Sequence, residues 1–434
     1  MAERTDVVII GAGIIGAATA FELNKAGIAT ISVDKNPAAG YGPTAASCAI
    51  IRVHYSTLAG TAFAYEGYFY WHDWPDYLEV NDERGLAEFR ETGCLVMRTQ
   101  HNDYLEKHIA LSTELDIPFS IWNTEKITEV LPIYDLSGFG PPKRLSDDRF
   151  GQPGDERVKS GVFWPTAGYV TDPQLATHNL QRAAESKGGR FVFGRRVVEI
   201  LKSRHRITGV RLDDGSTIEA PVVVNVAGPH SAKVNEMAGT LDDMVITTRA
   251  LKQEVVHVPA PNGYRYYDLA PVTSDSDIGV YTRPEHGDHI LLGSEDPECD
   301  PRDWVDPDDY DENFTEQSKV QVYRYAQRVP TLGIPSQSKG VVDLYDVTED
   351  WIPIYDKSCV PGFYMAIGTS GNQFKNAPIA GKMMASLIDY CEAGNDHDTA
   401  PLQFRLPRLD RNIDVGFYSR NRVINDESSF SVLG

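Results

Sequence analysis

The stretch DVVIIGAGIIGAATAFELNKAGIATISVDK, residues 6–35, constrains the fold more than any other part of the chain. Val7 to Ile10 form an unbroken apolar run, the pattern of a parallel strand buried on both faces. Gly11, Gly13 and Gly16 follow in the spacing GxGxxG. The first glycine allows a tight turn, the second lets backbone approach a pyrophosphate, and the third lets helix pack on strand. The helix that opens here offers free N–H groups and the positive end of its dipole to phosphate. Residues 28–33 read as a second strand, and Asp34 ends it 18 residues beyond Gly16, where an acceptor for a ribose hydroxyl belongs. Such a unit binds a dinucleotide. FAD and NAD share the fingerprint, so these residues alone do not choose between them.

The chain has 434 residues, a length that suggests two domains. Its 62 acidic and 41 basic residues leave a formal net charge of −21, which repels phosphate backbones and anionic lipid. No nucleic-acid or membrane partner is therefore expected. Cys48, Cys94, Cys299, Cys359 and Cys391 are scattered and never form CxxC, which argues against a disulfide framework or zinc site and fits a reducing cytoplasm. The apolar segment after Asp6 carries three glycines, little preceding positive charge and no convincing cleavage site, unlike a signal peptide. No apolar run reaches the ~18 residues a membrane span needs. The acid-rich stretch 295–316 lacks the spacing of a calcium loop and reads as a solvated loop and helix start, so no metal site is expected.

Three further segments carry chemistry. In GVRLDDGSTIEAPVVVNVAGPHSAKV, Asp214-Gly215 marks a hairpin that feeds a valine-rich strand ending at Ala227-Gly228. GFYMAIGTSGNQFKNAPIAGKMMASLIDYC, residues 362–391, reads as strand, turn and helix. Asn376 is the expected N-cap, Pro378 lies in the first turn, and Ile379, Met383, Leu387 and Cys391 form the buried face. A further helix is expected over 172–188, capped by Asp172. AIIRVHY, residues 49–55, sets Arg52 among Ile50, Ile51 and Val53. A buried guanidinium without an anion costs several kcal/mol, so either an acidic side chain or a ligand must supply one.

Taken in order, VVIIGAGIIG, AIIRVHY, VVVNVAGPHS and LYDVTEDWIPIYD…SGNQFKNAP resemble the D-amino-acid oxidase-like FAD family, and within it the sarcosine oxidase and dimethylglycine dehydrogenase branch. The four stretches span residues 6–378. The resemblance implies an α/β fold with a Rossmann-like FAD-binding domain (1–78, 158–240 and 335–395). This domain would be interleaved with a smaller α+β substrate domain (79–157 and 241–334) on a mixed or antiparallel sheet, followed by a tail, 396–434.

The same resemblance implies which residues meet the cofactor. They are Gly11, Gly13, Ile14, Ile15, Gly16, Asp34 and Lys35 at the fingerprint, and Gly42, Thr44, Ser47, Cys48 and Ala49 in an early flavin loop. Val197, Ala227 and Gly228 follow, then Gly371, Asn372, Gln373, Phe374 and Lys375 in the last turn. There Lys375 and the helix dipole would stabilise negative charge on the reduced flavin. Arg52 and Lys375 would clamp a substrate carboxylate, with Tyr345 and Tyr281 covering the amino group. His54 and Tyr55 flank the arginine and could face the flavin, with a solvent-facing or structurally hydrogen-bonded His54 the expected reading.

The implied reaction oxidises the C–N bond of a small N-substituted, N-methyl-type amino acid by hydride transfer to flavin, leaving an imine that water hydrolyses. A D-amino acid or a 2-hydroxy acid would use the same clamp. A flavin-binding electron-relay subunit of a larger complex is the alternative of another class. Two departures from the family matter. Asp343 stands where some members carry a cysteine that attaches flavin, and GYGPTAASC holds no histidine, so FAD is expected to be non-covalent. Leu291 or Leu292 stands where an oxidase of this branch has an oxygen-activating lysine. That favours a dehydrogenase over an oxidase, with the acceptor, O2 or an electron-transfer protein, left open. The tail carries five arginines, Arg405 to Arg422, and could wrap its own subunit, meet a second one in a homo- or hetero-oligomer, or stay mobile.

Overall fold

The computed structural model describes residues 3–433. Its first sheet has six strands in the order Arg190–Phe193, Thr30–Asp34, Val7–Ile10, Val222–Asn225, Phe363–Ile367 and Ile354–Lys357. The first five run parallel and the last is antiparallel. Val7–Ile10 and Val222–Asn225 are buried at every residue, as strands covered on both faces must be. Helices Ile14–Lys25, Pro173–Ser186 and Ala377–Glu392 cover one face. A Cβ on Gly381 would lie 2.6 Å from the carbonyl oxygen of Ala18, so glycine lets two of these helices pack backbone to backbone. The other face meets a small sheet built on Val197–Ser203, Arg206–Leu212 and Thr217–Glu219, turning at Asp214-Gly215 as expected. Val8, Ile10 and Val223 share a core there with Ile200, Val210 and Ile218.

The second sheet is larger and mixed. Its order is Trp304–Val305, Arg249–Pro259, His289–Ser294, Val280–Glu285, Val272–Asp275, Cys94–Arg98, Ser160–Trp164 and Ser120–Asn123, with Gly340–Val347 also paired to Arg249–Pro259. Only Val272–Asp275 and Cys94–Arg98 pair in parallel. Helix Glu316–Arg328 covers its outer face with Val322 and Tyr325 against Val256, Ile290 and Leu292. Two strands fall on the other side of the expected division of the chain. Ser160–Trp164 and Gly340–Val347 belong to this second sheet, although the expected segments 158–240 and 335–395 assign them to the first. Which sheet these strands join is settled by pairing with strands remote in sequence.

The helix over 172–188 forms as Pro173–Ser186, with the Asp172 carboxylate accepting from the Leu175 N–H at 2.8 Å. Asn376 departs from its expected role. It lies in the helical region without capping, and its side-chain amide donates to Gln373 Oε1 at 2.7 Å.

The tail wraps its own subunit. Strands Gln403–Leu406 and Arg411–Asp414 form a hairpin whose Phe404, Leu406 and Ile413 join the main core. Buried Glu66 accepts the backbone N–H groups of Arg408 and Leu409. Arg420 is buried and donates to Asp356 (3.0 Å), Asp398 (2.9 Å) and Asp243 (2.6 Å), three acids far from it in sequence. Removing a buried ion's partner leaves uncompensated charge. Arg420→Ala should therefore destabilise the protein by about 3–5 kcal/mol, read as a lower urea midpoint. A midpoint within error of wild type would show that the Arg420 ion network contributes nothing to global stability.

Candidate active site

A cavity of about 880 Å3 runs between the two sheets, past the C-terminal ends of the parallel strands. Every site residue singled out from the sequence lies on its wall, from Gly11 to Lys375, with Arg52, Val197, Tyr281 and Tyr345 among them.

One end is a glycine cradle. Gly11 has φ +111°, and a Cβ there would sit 2.3 Å from the carbonyl oxygen of Val226. A Cβ on Gly16 would sit 2.1 Å from the carbonyl oxygen of Gly11. No other residue type fits either position. Gly13 precedes helix Ile14–Lys25, which has no side-chain cap, and Thr44 Oγ1 accepts from the Ile14 N–H at 3.2 Å. Asp34 is pinned at its strand end by the N–H groups of Ala12 (2.7 Å) and Asn36 (2.8 Å). Close backbone approach, a helix N-terminus on the wall and a fixed acid suit the pyrophosphate and ribose of a dinucleotide.

The acid-rich stretch after Glu295 is not wholly solvated, contrary to expectation. Asp308 reaches the same end of the cavity and accepts from Lys233 Nζ at 2.7 Å, with His230 Nε2 at 3.0 Å. Lys233 and then His230 hold its carboxyl well below the usual carboxylate range. Lys35 completes the group, 2.9 Å from His230. A loop of the second sheet is thus tied across the dinucleotide end by charge.

The other end is aromatic and cationic. Gly371 and Gly293 leave room for two rings: a Cβ on the first would lie 2.3 Å from Tyr345, and on the second 2.2 Å from Tyr281. Cys48 Sγ sits 3.6 Å from the Tyr281 hydroxyl. Arg52 is buried, stacked 4.3 Å over the Tyr55 ring, and donates to the carbonyls of Val432 (2.8 Å) and His54 (3.2 Å). Lys375 Nζ donates to the Tyr55 hydroxyl and the Asn372 carbonyl, each at 2.5 Å. Burial, with Arg52 beside it, holds the Lys375 ammonium well below its ordinary value.

The buried arginines among the described residues are Arg52, Arg283, Arg324, Arg328 and Arg420. Four of them sit on carboxylates: Arg283 on Glu285, Arg324 on Asp300, Arg328 on Asp275 and Asp277, Arg420 on Asp356. Among the described residues Arg52 has carbonyl and aromatic partners only. The alternative of a buried Arg–Asp bridge in AIIRVHY is thereby removed.

His54 corrects a second expectation. It is buried on the cavity wall, stacked on Trp164 at 4.1 Å, and its Nδ1 has no partner. Burial and then Arg52 lower its basicity and hold His108 down to about 3. Leu291 and Leu292 do not line the cavity; Leu292 belongs to the core behind the sheet.

The sequence left Cys94, Ser274 and Val432 without a role, yet all three line the cavity. Tyr55, expected only to flank the arginine and face the flavin, joins Arg52, stacked over its ring, to Lys375, which donates to its hydroxyl. Nothing in the tail marks Val432.

The profile of the FAD dependent oxidoreductase family, DAO, matches residues 6–387. The chain is 24% identical over 426 residues to FAD-dependent oxidoreductase domain-containing protein 1 of Bos taurus, covering 89% of this chain and 81% of that one. It is 23% identical over 392 residues to sarcosine oxidase subunit beta of Rhodobacter capsulatus, covering 89% and 85%. The structure of L-proline dehydrogenase from P. horikoshii superposes with a TM-score of 0.76 at 22% identity, covering 97% of this chain and 98% of that one.

Asp346, also on the wall, yields a test of the site's polarity. Its carboxylate accepts from the Gly368 N–H at 2.6 Å, its Oδ1 has no partner, and burial pushes the carboxyl up to about 7. Its folded-state affinity for a proton exceeds that of the unfolded chain. The stabilisation is therefore complete below about pH 4 and is lost as pH rises through about 7. Asp346→Asn should gain unfolding free energy over wild type, read by urea titration at each pH, as pH rises across this window. The gain should be on the order of a few kcal/mol above it, and a pH-independent difference would contradict the assignment.

Proposed function

The chain belongs to the FAD-dependent oxidoreductase (DAO) family, and we propose that it oxidises the C–N bond of a small N-substituted, N-methyl-type amino acid. The observation that carries this reading is Arg52, a buried guanidinium with no carboxylate partner among the described residues, beside Lys375 on the cavity wall. A substrate carboxylate supplies the missing charge. Its arrival raises the proton affinity of Lys375, so the lysine, held weakly basic by burial, becomes the second cation of the clamp.

The glycine cradle, Asp34 and the turn Gly371–Lys375 would hold FAD, whose flavin supplies the two-electron oxidation. Cys48 is engaged with Tyr281 and Asp343 occupies the attachment position, which supports non-covalent binding. Arg52 and Lys375 fix the carboxylate, Tyr281 and Tyr345 wall the amine side, and the Val432 carbonyl closes the position behind Arg52. Burial of these groups excludes water until the imine forms. Lys35, Lys233 and Lys375 are the lysines on the wall, the first two at the dinucleotide end, which favours a dehydrogenase over an oxidase.

The similarity to a protein named sarcosine oxidase subunit beta supports a second reading, a subunit active only within a complex. A lone polypeptide whose flavin is bleached by amino acids would exclude it.

Anaerobic addition of N-methyl amino acids, D-amino acids and 2-hydroxy acids to the yellow holoenzyme should bleach the flavin band with the first class, and air should restore it slowly. Arg52→Ala removes a charge-assisted contact and should weaken the substrate roughly 10- to 100-fold while FAD content stays at wild-type level. Loss of FAD with unchanged substrate affinity would refute the clamp.

A further inference from the structure

Behind the Tyr281 wall lies a buried acid that the carboxylate clamp does not use. Ser274 and Tyr281 are directly paired across neighbouring antiparallel strands, so their side chains share a face, and both line the cavity. Ser274 Oγ donates to Glu295 Oε1 at 2.5 Å. Ser276 Oγ donates to the other oxygen, Oε2, at 2.9 Å and lies 2.8 Å from the Tyr104 hydroxyl. Glu295 is buried and forms no ion pair among the described residues. Its carboxyl stands one hydroxyl away from the cavity.

Asp343, Asp346, Asp296 and Glu295 are all buried acids raised toward neutrality. Asp343 and Asp346 accept from the backbone N–H groups of Leu344 and Gly368 and Asp296 from the Gln253 amide, and Glu295 is the one joined to the cavity by a hydroxyl that lines it. On its own side, Asp275 and Asp277 are committed to Arg328. The strand Cys94–Arg98 brings Cys94, whose thiol burial pushes up to about 12. The helix Tyr104–Glu114 brings Tyr104, pushed above its ordinary value, and His108, and the AIIRVHY stretch brings Arg52 and His54. Both imidazoles are poor bases here. Burial pushes Glu295 up to about 7 against the two serine hydroxyls, so it gains and loses a proton near neutrality.

The chemistry needs such a group. An amino acid arrives as an ammonium, and hydride can leave carbon only when the nitrogen lone pair is free, so one N–H proton must go first. Arg52 cannot accept it, and Lys375 is protonated once the carboxylate is bound. We propose that Ser274 takes the proton from the substrate ammonium while passing its own hydroxyl proton to Glu295, which acts through it as a positioning residue. One N–H bond breaks, one O–H bond forms on Glu295, the serine hydroxyl is regenerated, and no electrons move. This step presupposes the amine substrate proposed above.

The test uses holoenzyme in four forms: wild type, Glu295→Gln, Glu295→Asp and Ser274→Ala, which leaves the carboxyl in place. Infrared difference titration of the oxidised wild type between about pH 5 and pH 9 should show loss of carboxylic-acid carbonyl absorption near pH 7, with the Glu295 component missing from Glu295→Gln and the Asp346 component retained. In anaerobic mixing with N-methylglycine, the wild-type flavin reduction rate should rise with pH through the same inflection. Glu295→Gln and Ser274→Ala should each be about 100-fold slower, with the inflection moved toward the substrate's own amine value. Glu295→Asp should recover the wild-type profile in part. A Glu295→Gln or Ser274→Ala enzyme with the wild-type rate and inflection would overturn the relay alone, as would an infrared band that does not titrate. Bleaching by 2-hydroxy acids and by no amine would overturn the amine reading, and the relay with it.

Discussion

A buried arginine with no carboxylate partner among the described residues, and a lysine held weakly basic beside it, are the constraint around which the site is organised. Such an arrangement costs free energy that the fold does not incur at its other buried arginines, each set on an acid. Around Arg52 and Lys375 the protein supplies only dipoles and a ring. Tyr55 lies under one cation and accepts from the other, and the carbonyls of His54, Asn372 and Val432 complete the shell. Carbonyl dipoles orient the cations without cancelling their charge. The field stays open for an anion from outside, and segments from the start, the end and the last turn of the chain converge to maintain it.

The rest of the cavity depends on space made by glycine. At one end Gly11 and Gly16 admit backbone where any side chain would collide, and at the other Gly371 and Gly293 admit the rings of Tyr345 and Tyr281. The site lies where an open parallel sheet leaves a crevice at its strand ends, and the second sheet closes that crevice. The closure is held partly by charge, since Asp308 crosses to Lys233 and His230. Ligand recognition and the union of the two sheets therefore share residues.

Much of this was legible in the sequence, and the limits have a common cause. The fingerprint, the AIIRVHY stretch and the last turn are local patterns, in which neighbours along the chain also meet in space, and all of them reach the cavity. Ser160–Trp164 and Gly340–Val347 were placed with the wrong sheet because a short strand carries no label for its partner. Asn376 has the composition of a cap, but its amide is drawn to Gln373 instead. His54 was expected to be exposed or structural, and only the placement of Trp164 shows it stacked on the wall. Asp308 sits in an acidic stretch that resembles any solvated loop until the cations opposite it are known.

The sequence by itself determined that a dinucleotide cradle begins the chain, and that an arginine set in an apolar run requires an anion. Both follow from residue types whose conformational freedom or charge admits few environments. Tertiary structure decided what holds Arg52, because only the folded chain shows that no acid among the described residues reaches it and that the Val432 carbonyl, 380 residues away, does. It also decided that Glu295 stands behind Ser274, since the pairing of two strands sets which side chains share a face. Contacts between residues remote in sequence depend on the summed packing of the whole chain, and no local pattern encodes them.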